Sequence, residues 1–220
     1  MTQSAAESIG TLGILGGTGP QGRGLAIRFA QAGVSVMLGS RDANRANEVA
    51  ATLGLNISGS DNRQCAKDSD MVIVAVPWDG HGELLESLRD ELAGKIVIDC
   101  VNPLGFDKQG PFGLTVESGS ACEQAQTILT DSVVVGAFHH LSAELLEDST
   151  VASLDADVLV LGDDRDATDQ VQVLADLLPG ARGVYAGRLR NAHQVEALTA
   201  NLIAINRRYK THSGVRVAGV

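Results

Sequence analysis

Cysteine is scarce in this sequence. Only Cys65, Cys100 and Cys122 occur, an odd number with wide spacing and no C-x-x-C pair. A disulfide framework needs paired cysteines, and a zinc site needs closely spaced thiol or imidazole ligands. The pattern therefore argues against both kinds of site and predicts buried or inert thiols.

Long apolar runs are also missing. No run approaches the 18 or so residues that a membrane span requires, and a hydrophobic fraction of 44% is ordinary for a soluble protein. Residues 1–8 are small and polar and lack the basic start and apolar centre of a signal peptide. We therefore expect a flexible tail at residues 1–8, a cytoplasmic protein and no membrane partner.

Positive charge is limited and unevenly placed. The formal net charge of -10 would repel nucleic acid phosphates, so we expect no nucleic acid partner. Between Arg182 and Arg216, however, seven basic residues accompany the single acid Glu196. This basic segment is explained either by an anionic ligand or by acidic surface that it covers, for example across a dimer contact.

Motifs of hydrolytic and metal chemistry are absent. The five histidines, at positions 81, 139, 140, 193 and 212, show no H-E-x-x-H spacing, and no serine stands in G-x-S-x-G. The sequence therefore predicts no metal centre and no catalytic triad.

Apolar runs do alternate with amphipathic segments along the whole chain. Near-continuous apolar strands are typical of parallel sheets that are covered on both faces. The pattern predicts an α/β fold with a doubly wound, mostly parallel sheet. We expect an NADP-binding Rossmann domain at residues 9–140 and a small C-terminal α/β lobe at residues 141–220. The predicted strands are TLGIL, VSVML, MVIVAV, KIVIDC, SVVVGAF, DVLVLG, a weaker one near LNISG and a short one near RGVYAG.

Three other segments carry specific predictions. HGELLESLRDELAG, residues 81–94, is expected to form one helix that ends at a glycine. Residues 103–119 hold five glycines or prolines in their first eleven positions and predict a long loop. A last helix is expected at about residues 191–209, and its apolar stripe is consistent with a homodimer contact.

The stretch GGTGPQGRG contains the spacing G-x-G-x-x-G at Gly17, Gly19 and Gly22. It follows a predicted strand and opens a predicted helix, which is the context of a dinucleotide-binding turn. In such a turn the first glycine permits a tight bend, the second lets the backbone approach a pyrophosphate, and the third allows close helix packing. The sequence thus predicts a dinucleotide, although a structural turn has the same spacing.

The end of the second predicted strand indicates which dinucleotide. NAD-specific proteins carry an acid there, whereas this chain has Ser40 and Arg41, followed one helical turn later by Arg45. Guanidinium groups match phosphate oxygens, so these residues favour the 2′-phosphate of NADP. The alternative is that both arginines pair with Asp42 or Glu48 on a solvated helix.

These motifs together resemble a known family. ILGGTGPQGRGLAIRFAQAG, GSRDANRA, AVPWD and VEALT are similar to segments of the NADP oxidoreductases that use the 8-hydroxy-5-deazaflavin coenzyme F-420. The resemblance extends from about Leu12 to the C-terminus. It implies hydride transfer between the nicotinamide C4 of NADP(H) and the deazaflavin C5, with the protein supplying stacking and orientation.

The resemblance also implies site residues. The cofactor-binding set for NADP is Gly17, Thr18, Gly19, Pro20, Gln21, Gly22, Ser40, Arg41, Arg45, Val76, Pro77, Trp78, Asn102 and Ala137. The set for the deazaflavin is His139, Leu198 and Thr199, and His139 is the one catalytic candidate, as a donor to the pyrimidine edge of the ring. The tail of this coenzyme is anionic and gives the basic C-terminal segment a candidate ligand.

Alternatives remain open at several of these positions. Trp78 and Leu198 are also explained as core residues, and His139 as a half-buried residue at a strand end. Ala197 departs from the serine that some family members carry. Fold and NADP signature are shared with reductases of imines, flavins or ferric ion, and with NADP-sensing modules that have no turnover. Lys108 is the only base in the 103–119 loop, which argues weakly against an imine reductase.

Overall fold

Ten strands and nine helices of four or more residues organise the part of the chain from Thr11 onward. The computed structural model describes residue 6 and residues 8–220, so the predicted tail at residues 1–8 lies largely outside the described residues. The strands are β1 (Thr11–Leu15), β2 (Ser35–Ser40), β3 (Ile57–Asp61), β4 (Met71–Val74), β5 (Ile96–Asp99), β6 (Leu104–Asp107), β7 (Gly110–Gly113), β8 (Val133–Gly136), β9 (Ala156–Leu161) and β10 (Ala181–Gly187). The helices are α1 (Pro20–Gln31), α2 (Ala43–Leu53), α3 (Asn62–Asp68), α4 (His81–Ser87), α5 (Arg89–Leu92), α6 (Ala121–Ile128), α7 (Ala143–Glu147), α8 (Arg165–Asp176) and α9 (Ala192–Tyr209).

Eight of the strands form one sheet in the order β10-β9-β8-β5-β4-β1-β2-β3. Strands β1 to β5 and β8 pair in parallel, β9 meets β8 antiparallel through Gly136 and Leu161, and β10 runs parallel to β9. Their apolar side chains are buried on both faces, since a parallel sheet is covered by helices on both sides. The predicted α/β doubly wound fold is confirmed.

Two apolar clusters flank the sheet. One includes Leu25 and Phe29 of α1 with Leu174 of α8. The other includes Leu85 of α4 and Ala125 of α6. Because helices cover both faces, the loops at the carboxyl ends of the strands are left free to build a site.

Two local predictions were wrong. The 103–119 segment is not a plain loop, because β6 and β7 pair as an antiparallel hairpin. Its turn is closed by Asp107, whose Oδ1 accepts hydrogen bonds from the backbone N–H groups of Gln109 and Gly110. The segment 81–94 forms the two helices α4 and α5, since the backbone at Leu88 leaves the helical region.

The C-terminal strands extend the main sheet across residue 140, so the division into two domains stays a prediction. Asp157 at the start of β9 is fully buried and binds the guanidinium groups of Arg182 and Arg216 at 2.8 and 3.0 Å. The Arg182 hydrogen bonds hold the pKa of this carboxyl well below its usual range. Two of the seven basic residues near the C-terminus therefore serve an internal ion cluster.

The three thiols are buried and unpaired with one another. Burial raises the pKa of each, to about 12 for Cys65, so the thiolate forms are suppressed.

Within the described residues, no helix has the length and apolar character needed to cross a membrane.

Candidate functional site

A cleft runs along the carboxyl ends of the strands. It consists of three adjoining cavities: an outer cavity of about 680 Å³, a middle cavity of about 350 Å³ and an end cavity of about 490 Å³. The outer and middle cavities share Gly19 and the segment 75–77, and the middle and end cavities share Leu141 and Thr199. Carboxyl ends of strands are where doubly wound sheets bind ligands.

The glycine turn lies where β1 passes into α1. The backbone N–H of Gly17 donates to the carbonyl of Gly39 at 2.9 Å, which ties the turn to the end of β2. A Cβ at Gly22 would lie 2.7 Å from the Cα of Gly17, and one at Gly17 would lie 2.8 Å from the Ile14 carbonyl oxygen. Neither glycine can carry a side chain without displacing backbone, which explains this part of the motif.

The N-terminus of α1 points into the cleft without an internal cap. Gly19 occupies the N-cap position, Pro20 begins the helix, and the first turn contains no acid. The free N–H groups and the positive end of the helix dipole therefore suit an anion. Gln21 lines the middle cavity, and its Nε2 donates to the Phe138 carbonyl at 3.2 Å.

Ser40, Arg41 and Arg45 together line the outer cavity. Both guanidinium groups are exposed, and neither forms an ion pair with a described residue. Asp42 instead caps α2, since its Oδ1 accepts from the N–H groups of Asn44 and Arg45. The alternative in which both arginines pair with Asp42 or Glu48 is therefore not what the structure shows.

The middle cavity brings together residues from three strand ends and the last helix. Val76 and Pro77 follow β4, Asn102 follows β5, and His139 follows β8. The His139 carbonyl accepts hydrogen bonds from Asn102 Nδ2 at 2.8 Å and from Thr199 Oγ1 at 3.2 Å. Asn102 Oδ1 is buried and has no hydrogen-bond partner among the described residues.

The two neighbouring histidines turn their rings into the protein. His139 is 3% exposed, and its Nε2 lies 3.8 Å from Cys122 Sγ. His140 Nε2 accepts a hydrogen bond from the Leu159 N–H of β9 at 3.3 Å. Burial lowers the pKa of both rings to about 4, so both are neutral at pH 7. The role of the His139 ring as a donor to a ligand stays a prediction.

The buried histidines predict an acid-sensitive fold. In the unfolded chain an imidazole gains its proton near pH 6.5, whereas these rings do so near pH 4, so stability falls as the pH is lowered between these values. Burial raises the pKa of Glu196 from 4.5 to about 7. Between these pH values the folded protein holds this proton more tightly than the unfolded chain does, so acidification raises stability through Glu196. The measurable quantity is therefore the difference between wild type and His140→Gln, which should lose less stability on acidification.

Urea unfolding at about pH 6.5, 5.5 and 4.5 measures that difference. His193→Gln, on the exposed surface, serves as the matched control and should follow the wild-type profile. Parallel profiles for wild type and His140→Gln would show that His140 does not contribute to the acid sensitivity.

Five predicted residues are not among the lining residues of the three cavities. Gly17 and Gly22 pack against each other inside the glycine turn. Ala137 is fully buried, Trp78 is half-buried with its ring 5.5 Å from that of His81, and Leu198 is half-buried on α9. Their contact with a ligand stays a prediction. Ala197 faces the hairpin of β6 and β7, since a Cβ added at Gly113 would lie 3.1 Å from the Cβ of Ala197.

Of the seven basic residues between Arg182 and Arg216, one is among the lining residues of the cleft. Lys210 lines the end cavity. Arg188 instead lies 3.5 Å from Asp163, away from the cleft. Among the described residues, no group of three or more histidine, cysteine, aspartate or glutamate side chains is placed to hold a metal ion.

Sequence reasoning missed a buried polar group behind the cleft. His81 and Asp99 are fully buried and joined, and Glu196 of α9 accepts hydrogen bonds from the N–H groups of Ala121 and Cys122 at 3.1 Å. A usable signal existed, because Asp99 ends the otherwise apolar strand IVID. Charged residues are almost never fully buried unless they are paired.

Comparison with known proteins places the chain in a family. Residues 11–103 match the family described as NADP oxidoreductase coenzyme F420-dependent. The chain is 34% identical to the F420-dependent NADP reductase of Methanothermobacter marburgensis, over 95% of this chain and 98% of that protein. It is 35% identical to the F420-dependent NADP reductase of Methanocaldococcus jannaschii, again over 95% of this chain and 98% of that protein.

A solved structure agrees on the fold. The crystal structure of a putative F420-dependent NADP reductase from Arthrobacter sp. FB24 superimposes with a TM-score of 0.83 at 24% identity, covering 96% of this chain and 99% of that one. The similarity to the two archaeal reductases extends over nearly the whole length of all three chains. The chain belongs to the family of F420-dependent NADP oxidoreductases.

Proposed function

We propose that this protein transfers a hydride reversibly between NADP(H) and the deazaflavin coenzyme F420. The observation that carries the proposal is a row of three adjoining cavities that runs from Arg41 and Arg45, which form no ion pair with a described residue, past the glycine turn to Thr199 on the last helix. Family membership gives this cleft its two ligands. When bound, the two coenzymes supply the chemistry, which is hydride passage between nicotinamide C4 and deazaflavin C5.

The outer cavity is assigned to the adenosine half of NADP. Ser40, Arg41 and Arg45 would bind the 2′-phosphate, because they offer two guanidinium forks and a hydroxyl around one space. The uncapped start of α1 at Gly19 and Pro20 would hold the pyrophosphate. The steric limits at Gly17 and Gly22 fit this role, since they keep the turn tight and the start of α1 packed against it.

The middle cavity is assigned to the two reacting rings. Val76 and Pro77 provide an apolar wall, and Asn102 Oδ1 offers a buried acceptor that a ring amide could satisfy. Thr199 and Asn102 both bind the His139 carbonyl, so three chain segments are joined at this point. Such bonds hold the residues that would contact the nicotinamide and deazaflavin rings in fixed positions. Orientation of the two rings is the main contribution a protein makes to hydride transfer between cofactors.

The end cavity is assigned to the remainder of the deazaflavin coenzyme. Lys210 lines it and would attract an anionic tail.

We further propose that the protein is a cytoplasmic homodimer. The support for a dimer is the exposure of apolar surface on and beside α9, including Ile205, Tyr209 and Phe106.

A spectrophotometric assay tests the proposal. Purified protein is mixed with NADPH and oxidised deazaflavin coenzyme, and loss of the deazaflavin absorbance is followed, with FMN, FAD, ferric ion and a cyclic imine as parallel acceptors and NADH as the alternative donor. We expect NADPH-dependent loss with the deazaflavin alone. Turnover of another acceptor would reassign the second ligand, and tight NADPH binding without turnover would favour an NADP sensor.

A further inference from the structure

A buried ion pair lies directly behind the middle cavity. Asp99, the last residue of β5, and His81, the first residue of α4, are both fully buried. His81 Nε2 lies 2.6 Å from Asp99 Oδ2. Two charged or chargeable side chains in an apolar interior carry a desolvation cost, which a protein tolerates when the pair fixes geometry or serves function.

Each partner also holds one wall of the cavity. Asp99 Oδ1 accepts a hydrogen bond from the N–H of Val101 at 2.9 Å, which sets the backbone immediately before Asn102. On the other side, the His81 ring packs against the Trp78 ring with centroids 5.5 Å apart, and the backbone N–H of His81 donates to the Trp78 carbonyl at 3.0 Å. This side secures the turn that follows Val76 and Pro77.

A third element completes the arrangement. Gln124 of α6 lies with Oε1 3.1 Å from His81 Nδ1. With the amide in this orientation both imidazole nitrogens face acceptor oxygens, an arrangement that favours the protonated ring beside the Asp99 carboxylate. Burial lowers the pKa of His81, but the Asp99 charge and hydrogen bonds outweigh it and the net direction is upward. Further titratable groups nearby are Glu196, Cys122, Cys100 and His139.

We infer that Asp99 and His81 are positioning residues that hold the β4 and β5 exit loops at the separation that the two reacting rings require. The inference rests on the proposed function. Reacting atoms in a productive complex lie about 3–3.5 Å apart, and small displacements reduce the rate strongly. Residues 75–77 and 100–102 form two of the walls of the middle cavity. The contact between His81 and Asp99 links α4, which follows the first of these segments, to the end of β5, which precedes the second.

The test cuts this link without leaving an unpaired buried charge. In the double variant His81→Leu/Asp99→Asn, Asn can still accept from the Val101 N–H, while residue 81 no longer binds residue 99. His81→Gln is the conservative variant, because its amide keeps a donor toward Asp99. Ser69→Ala removes a buried hydrogen bond just before the amino end of β4, away from the cleft, and is the matched control for lost stability.

The readouts are the dissociation constant of NADPH and the single-turnover rate of hydride transfer with both coenzymes saturating. We expect the double variant to lower the transfer rate at least about tenfold. NADPH affinity should change less than about threefold, since the 2′-phosphate contacts lie in the outer cavity. His81→Gln should fall between the double variant and wild type, and Ser69→Ala should transfer at the wild-type rate.

Wild-type transfer rates in the double variant and in His81→Gln would overturn the inference, whatever their melting temperatures. If the double variant does not fold, His81→Gln decides: a reduced rate supports the inference and an unchanged rate overturns it. Absence of transfer by the wild-type protein would instead refute the proposed function, so the two failures are distinguishable.

Discussion

Replacing Arg41 and Arg45 together by alanine is expected to raise the KM for NADPH roughly 100-fold, and each single replacement about tenfold. The two guanidinium groups line the outer cavity without ion-pair partners among the described residues, so their charge is available to a ligand. The value of kcat at saturating NADPH should change little, because these contacts bind ground state and transition state alike.

Cofactor preference is the discriminating readout for this prediction. The KM for NADH should stay within about threefold of wild type, since NADH has no 2′-phosphate to lose. Arg89→Ala, an exposed arginine outside the cleft, is the matched control and should change neither constant. Equal losses with NADPH and NADH would contradict the assignment of the 2′-phosphate site.

Replacing Arg28 by methionine is expected to lower the free energy of unfolding by about 2–4 kcal/mol. Arg28 is 4% exposed, and its guanidinium donates to the carbonyls of Leu145, Leu146, Asp148 and Val151 at 2.7 to 2.9 Å. These groups lie at and just beyond the end of the short helix α7, where helical carbonyls have no internal partner. Methionine fills similar space but leaves the four carbonyl acceptors without their donor.

Urea unfolding measures the loss, and limited proteolysis locates it. Cleavage should appear first near residues 141–151, the segment that Arg28 ties to α1. Arg23→Met is the matched control, because Arg23 binds Glu147 of the same helix at 2.7 Å from a half-exposed position. Such a pair contributes about 1 kcal/mol or less. Similar losses for the two variants would show that burial of the carbonyls is not the cause.

The sequence was sufficient for the fold and for bringing the glycine turn, Ser40, Arg41 and Arg45 together at one end of the cleft. TLGIL and the glycine spacing are adjacent in the chain, so local pattern alone placed β1, the turn and α1. Ser40, Arg41 and Arg45 lie together for the same reason, at the end of one strand and the start of the next helix.

Contacts between distant segments were not accessible in the same way. The hairpin of β6 and β7 is rich in glycine and proline, which hides the alternation by which strands are recognised. The pair of His81 and Asp99 forms because β4 and β5 are neighbours in the sheet, and pairing of strands is a property of the folded chain. The four acceptors of Arg28 lie more than a hundred residues along the chain from it.

The position of the His139 ring has the same origin. The resemblance to the family implied a residue at the cleft, and the backbone carbonyl of His139 does bind Asn102 and Thr199 there. The direction of the ring depends on the turn at Phe138, which has a positive φ of 65°. The contacts around a strand end are set by such backbone turns, which residue type alone does not specify.

Transfer of an isotopic label tests the central claim most directly. NADPH carrying deuterium at both C4 positions is mixed with oxidised deazaflavin coenzyme and the purified protein in ordinary water, and the reduced deazaflavin is examined by mass spectrometry and NMR. Direct hydride transfer predicts one deuterium at C5 of the reduced deazaflavin in this experiment. In the converse experiment, with unlabelled NADPH in heavy water, it predicts no deuterium at C5. A reduced product without label at C5, or with solvent deuterium there, would contradict the account.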